Sequence, residues 1–261
     1  MLAPVLRRAL GIASRPLHGR VVSIAHGPAK GLLLAFDETS AVWVSGRTEL
    51  PVQHALERLV EPGAVFFDIG ANVGFFTLLG ARLVGPSGTV VAFEPHPENI
   101  EKLRQNVDLN SLSTVVVVPK GVSEATGDRI LDARHTATAS LVESDGDVDG
   151  FVSVENTSLD DFLRARPDLK PDVVKIDAEG HEVEIVHGMQ ETFHGAQPIL
   201  ICEMHGRDRE FADAIEAVGY LTAGVSGDTS STHVIAAPAG HRALVRALSA
   251  RTVSSVQERE R

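Results

Sequence analysis

The run "VFFDIGANVGFFTLLGARL", residues 65–83, ends an apolar stretch on Asp68 and then passes through Gly70, Asn72 and Gly74 into a segment with no proline until Pro86. Glycines at this spacing let a backbone approach a ligand closely and take positive φ. A second acid, Glu94 in "VVAFEP", follows the loop by about twenty-odd residues, the spacing at which a carboxylate accepts both hydroxyls of a ribose. A nucleoside is the expected guest. A dinucleotide would bring G-x-G-x-x-G, whose glycines and helix N-terminus receive a pyrophosphate. Here Asn72 stands where the middle glycine of that tighter loop would be, and Asp68 would repel a pyrophosphate while attracting an ammonium group, directly or through water. S-adenosylmethionine, with a ribose, an α-amino group and a sulfonium, suits both acids.

Further along, "KIDAEGHE" supplies Asp177, Glu179 and His181, and "ICEMHG" supplies Glu203 and His205. A sulfonium already activates its methyl group, so transfer asks mainly for in-line alignment, but a hydroxyl acceptor must still lose a proton. A divalent ion such as magnesium, held by carboxylates, would lower the pKa of that hydroxyl; an imidazole would take the proton directly. The sequence has no tight pair of adjacent acids among these residues, so the reading favours a metal-independent base. His181 is the first candidate and His205 the second, with Asp177 as the orienting or cofactor-facing acid and Glu179 and Glu203 toward the substrate.

These groups need a scaffold that ends its strands at one edge. Apolar strands alternate with helical stretches: "AVFFDI" then "FFTLLGARL", "TVVAFE" then "PENIEKLRQNVDLN", "TVVVVPKGV" then "SLDDFLRA", "DVVKIDAEG" then "HEVEIVHGM", and "PILICEMH" then "DREFADAIEAVG". Near-continuous Val and Ile runs are strands buried on both faces, and their alternation with helices predicts an α/β, doubly wound, mostly parallel sheet. Ligands in such sheets bind at the carboxyl ends of the strands. Upstream, "VVSIAH", "GLLLAF" and "AVWVSG" predict a small β-meander, and "LPVQHALERLV" a helix. The expected organisation is an N-terminal helical segment over 1–20, the meander and helix over 21–60, the main domain over 61–240 and a C-terminal tail over 241–261.

The chain has 261 residues, 43% of them hydrophobic, and a formal charge of -11. That length buries a full core in one domain, and the acidic balance argues against wrapping a phosphate backbone. Nucleic acid is not an expected partner. A single cysteine, Cys202, forms no internal disulfide and fits a cytoplasmic setting. "MLAPVLRRALGIASRPLHGR" carries four arginines and no acid, but charge interrupts its apolar positions too soon for a membrane span. Its apolar face offers a surface for a homodimer. Trp43 reads as core or lid packing, and "ESDGDVDG" as a solvated loop that lacks the calcium-loop pattern.

Taken in order, "VFFDIGANVGFFTLLGARL", "GTVVAFEPHPENIEKLRQNVDLN", "TSLDDFL", "DVVKIDAEGHEVEIVHGM" and "PILICEMHG" resemble the FkbM family of S-adenosylmethionine-dependent methyltransferases. "GPAKGLLL" and "GRTELPVQHAL" extend the resemblance upstream. It implies a class I methyltransferase, Rossmann-like fold: a seven-stranded sheet whose last strand, "STHVIAAP", is antiparallel. It further implies a bacterial enzyme of secondary metabolism or glycan decoration that methylates a hydroxyl of a small molecule or glycan. Carried onto this chain, the resemblance gives the methionine end of the cofactor to Asp68, Gly70, Asn72 and Gly74, and the ribose to Glu94. Adenine would lie between Pro95 or His96 and Gly121, Val122 and Ser123, with Glu49 retained from the lead-in. The chain departs from the family pattern at Gly121, where alanine is more usual, and at Thr48, where an aromatic is. An N-methyltransferase and a nicotinamide-dependent oxidoreductase are the alternative readings; the second should bring the pyrophosphate loop that this sequence lacks.

Overall fold

A computed structural model describes residues 19–37, 40–134, 140–142, 150–225 and 232–241. The expected N-terminal helix and C-terminal tail lie outside these residues, as does most of "ESDGDVDG" and "GVSGDTSS". In chain order the elements are β1 (Val21–Ser23), β2 (Leu33–Ala35), α1 (Leu50–Leu59), β3 (Val65–Ile69), α2 (Phe75–Val84), β4 (Thr89–Phe93), α3 (Pro97–Leu109), β5 (Val115–Val118), β6 (Gly121–Val122) and β7 (Gly127–Asp132). There follow β8 (Ser140–Val142), β9 (Phe151–Thr157), α4 (Leu159–Ala165), β10 (Val173–Ile176), α5 (Glu182–His187), α6 (Gln190–Gly195), β11 (Ile199–Met204), α7 (Asp208–Ala217), β12 (Tyr220–Val225) and β13 (Thr232–Pro238).

Seven strands form one sheet in the order β12-β13-β11-β10-β3-β4-β5. The neighbours from β11 to β5 run parallel, and β13 is antiparallel to both β11 and β12. This is the expected doubly wound sheet with its antiparallel return. Alternation along each strand divides the core. In β3, Phe66 joins the residues packed under α1, α2 and α3, whereas Phe67 and Ile69 join those under α4 to α7. Each such phenylalanine, fully buried, stabilises the fold by about 1.5–3 kcal/mol.

Two expectations need correcting. The meander is a two-stranded hairpin, because "AVWVSG" is not a strand: Ser40–Val42 forms a 3-10 turn. Asp37 and Ser40 bond reciprocally, Ser40 N donating to Asp37 Oδ1 at 2.7 Å and Asp37 N to Ser40 Oγ at 2.8 Å, and this local closure outcompetes a ladder. The run "TVVVVPKGV" is likewise two strands. Beyond Pro119, β6 leaves the main sheet and joins a second, four-stranded sheet of order β6-β9-β7-β8 that the sequence reading did not anticipate. Its strands carry charged residues on exposed faces, so hydrophobic runs did not mark them.

Register sets the functional edge. Lys175 pairs with Asp68 and Ile176 with both Ile69 and Cys202, so Asp177, Gly70 and Glu203 leave adjacent strands at one level. The packing behind this edge is tight at Gly80 in α2, where a Cβ would stand 2.3 Å from Phe66 Cδ1. Gly80→Val should therefore overpack the layer and lower unfolding free energy by about 1–3 kcal/mol, read by urea denaturation; an unchanged midpoint would show that α2 can move off the sheet.

Candidate active site

A cavity of about 210 Å³ opens at the carboxyl ends of β3, β4, β10 and β11. Glu94 anchors one end. It is 4% exposed, and its Oε2 accepts from the Asn72 N–H at 2.8 Å while Oε1 accepts from the His96 N–H at 2.9 Å. Burial pushes its carboxyl up to about 7. Asn72 can aim its N–H at Glu94 because it takes a left-handed backbone, φ 51, which asparagine tolerates better than most residues. Gly70, at φ 78, is demanded by its neighbour as well: a Cβ there would lie 1.8 Å from the Asp177 carbonyl oxygen.

The residues expected around the cofactor divide into a wall and a backing. Glu49, Gly70, Asn72, Glu94, Pro95, Gly121, Val122 and Asp177 line the cavity. Asp68 does not; it is fully buried behind the loop, where its Oδ2 accepts from Thr77 at 2.6 Å. Gly74 starts α2 at φ 92. His96 turns its ring to the start of α3, accepting from the Glu98 N–H at 3.2 Å. Ser123 is buried and bonds His181.

Sequence reasoning passed over Lys175, although it stands in the quoted strand. It is 2% exposed, donates to Asp177 Oδ2 at 3.1 Å and lies 4.7 Å from the Phe76 ring centroid. Burial alone would strip its proton, but the charges of Asp177, Asp68 and Glu49 outweigh that and hold the ammonium more firmly than in water. Burial conversely raises Asp68. Trp43 joins the cavity wall while stacking on Phe75 at 4.6 Å, so it both packs and faces the site. Asn99 and Lys120, also in the wall, carried no signal that separated them from ordinary surface polar residues.

At the other end Glu179, His181 and Glu203 line the cavity, and His205 stands just behind. Glu179 has a left-handed backbone, φ 51, and burial together with Asp177 pushes its carboxyl up to about 7. Glu182, 1% exposed, accepts from the Gly180 N–H at 3.0 Å and meets His205 Nδ1 at 2.9 Å. The opposite nitrogen of that ring is 3.6 Å from Glu179. The Glu182 hydrogen bond lifts His205 to about 9. His233 on β13, which the sequence reading did not single out, lies 3.3 Å from Glu49 and 3.6 Å from Glu203. Burial would lower it, but the two acids prevail and raise it to about 9.

Glu49, Glu203 and His233, and likewise Asp177, Glu203 and His205, bring their polar atoms within 4.8 Å of one another. In each group the imidazole, raised to about 9, is an ion-pair partner that offsets part of the charge of its two acids from within the fold. Both histidines have a folded pKa above the ordinary value, so the stability they add is full below about pH 6.5 and is lost as pH rises through about 9. The melting temperature should fall between pH 7 and 9.5, and the fall should be shallower in His233→Gln; equal slopes would remove the His233 bridge as a source of stability.

Residues 68–243 match the Methyltransferase FkbM domain. The chain is 28% identical over 159 residues to the hexuronic acid methyltransferase AglP of Haloferax volcanii, a match covering 61% of this chain and 63% of that relative. It is 47% identical over 55 residues to the 31-O-demethyl-FK506 methyltransferase FkbM of Streptomyces tacrolimicus, over 21% of this chain and 20% of that one. Among solved structures, a SAM-dependent O-methyltransferase from Thermotoga maritima superposes with a TM-score of 0.51 at 14% identity, covering 84% of this chain and 77% of that one, a likeness of fold. With a matching domain that spans most of the chain and a seven-stranded sheet of the class I methyltransferase type, this protein belongs to the FkbM methyltransferase family.

Proposed function

We propose that the chain is an S-adenosylmethionine-dependent O-methyltransferase acting on a hydroxyl of a sugar or other polyhydroxylated small molecule. The observation that carries this is the carboxylate Glu179, exposed to the cavity beside Asp177 and held near neutrality, as a proton acceptor for a hydroxyl should be. The cofactor's groups have fitting counterparts: buried Glu94 for a ribose, Pro95, Gly121 and Val122 for a flat base, and the acids around Lys175 for an ammonium. When bound, S-adenosylmethionine supplies an activated methyl group on its sulfonium. The protein then has to orient the acceptor and remove its proton.

In this reading Glu179 receives that proton and His205, fixed through Nδ1 by Glu182, presents its positive edge to Glu179. His205 serves as a charged partner below pH 9 rather than as the base. Asp177 is locked by Lys175 on the cofactor side, and Glu203, steadied by His233, is left to accept further acceptor hydroxyls. The relatives support the substrate class by their names, one a hexuronic acid methyltransferase and one a 31-O-demethyl-FK506 methyltransferase.

The cofactor assignment predicts that Glu94→Ala weakens S-adenosylmethionine binding ten-fold or more, on the order of 1.5–3 kcal/mol for a lost charge-assisted hydrogen bond, by calorimetric titration. Tight binding of NAD with none of S-adenosylmethionine would sink it. For the chemistry, with glycosides bearing neutral or uronic acid sugars as methyl acceptors, S-adenosylmethionine should be converted to S-adenosylhomocysteine at a rate that rises through about pH 7 and survives EDTA. Glu179→Gln should slow this by about a hundred-fold. Activity abolished by the chelator and restored by magnesium would replace the carboxylate base with a metal-assisted step.

A further inference from the structure

Ser123 and His181, 58 residues apart, meet at 2.7 Å between Oγ and Nε2. Ser123 follows Gly121 and Val122, which line the adenine side of the cavity; it is 1% exposed, and its N–H donates to Thr157 O at 3.0 Å, joining it to the second sheet. His181 closes the turn that carries Asp177 and Glu179 into the cavity. Its Nδ1 faces Glu184 Oε2 at 3.8 Å, and Glu184 is in turn held by Arg207. Both ring nitrogens are therefore directed at protein groups; burial lowers the pKa of the ring, and in the neutral tautomer with its proton on Nδ1, Nε2 accepts from the Ser123 hydroxyl.

We propose that His181 is a positioning residue for the cofactor: through Ser123 it clamps the adenine-side turn to the turn bearing Asp177 and Glu179, and so fixes the gap across which the cofactor lies. The two walls belong to different sheets. β6 leaves the main sheet to pair with β9, and nothing in the β3–β4 ladder fixes its distance from the end of β10. The Ser123 backbone packs on Gly188 at the far end of α5, and the hydrogen bond to His181 adds the constraint at the cavity edge itself. The role differs from proton transfer, because it acts on cofactor affinity before any acceptor is present.

The inference rests on the cofactor reading, and S-adenosylhomocysteine tests the two separately. Trp43, the only tryptophan in the chain, lies in the cavity wall, so its fluorescence reports binding to the full chain. Ser123→Ala and His181→Ala should each raise the dissociation constant about three- to ten-fold, the range for one neutral hydrogen bond. The double variant should be no weaker than the worse single one, since both remove the same bond. His181→Gln, whose amide can still bond Ser123, should recover most of the affinity. Singles that bind as the parent protein does, effects that multiply in the double variant, or a glutamine no better than alanine would each overturn the clamp. Failure of the parent protein to bind S-adenosylhomocysteine would overturn the cofactor reading beneath it.

Discussion

One buried cation organises the edge where the strands end. Lys175 is almost wholly enclosed, and an ammonium in that position stands only because Asp177, Asp68 and Glu49 surround it. Removing Lys175 would leave three carboxylates clustered in a dry site without their cation, a loss of several kcal/mol for buried charges stripped of their partner. The three acids come from β3, the end of β10 and the lead-in before α1, so satisfying Lys175 fixes three separate segments at once. The lysine is thereby a reason for the cavity to exist in one shape: it holds together, at the strand ends, carboxylates that would otherwise repel one another.

Glu94 does comparable service at the opposite end of the cavity. Its two oxygens are already engaged by the N–H groups of Asn72 and His96, and Asn99 approaches at 3.4 Å. The acid that would receive ribose hydroxyls is thus held in place by the glycine loop and by the start of α3. Preorganisation of this kind lowers the ordering cost of binding. Asn72 tolerates the left-handed backbone that turns its N–H onto the carboxylate and adds what glycine lacks, an Oδ1 that accepts from the Val73 N–H at 2.8 Å.

The Glu179 end of the cavity is built differently, from histidines that hold protons. His205 and His233 each sit between two acids, and the pairs link the α5 turn, β11, β13 and the lead-in segment. Carboxylates thereby face the cavity with cations behind them, a wall able to accept several hydroxyl protons without gathering excess charge. Glu179, the least compensated of them, is the one pushed toward neutrality.

Much of this was legible in one dimension. The Val and Ile runs, the Gly70–Gly74 loop, Glu94 at its spacing and the acids after "VVKI" and "ILIC" identified the doubly wound sheet and the edge that carries the site, because burial on both faces and strand-end placement leave marks in local pattern. What local pattern does not encode is which side chain meets which. Asp68 and Asp177 read alike as strand-end acids, yet register buries the first behind the loop and exposes the second. His181 and His205 read alike as bases, yet one faces Ser123 and the other Glu182. Lys175 and His233 read as strand residues, and the strands of the second sheet drew no reading, since their partners lie far along the chain. Sequence determined the fold, the family and the edge; tertiary structure alone decided the charge state and role of each group there, because both depend on burial and on neighbours brought together by strand pairing.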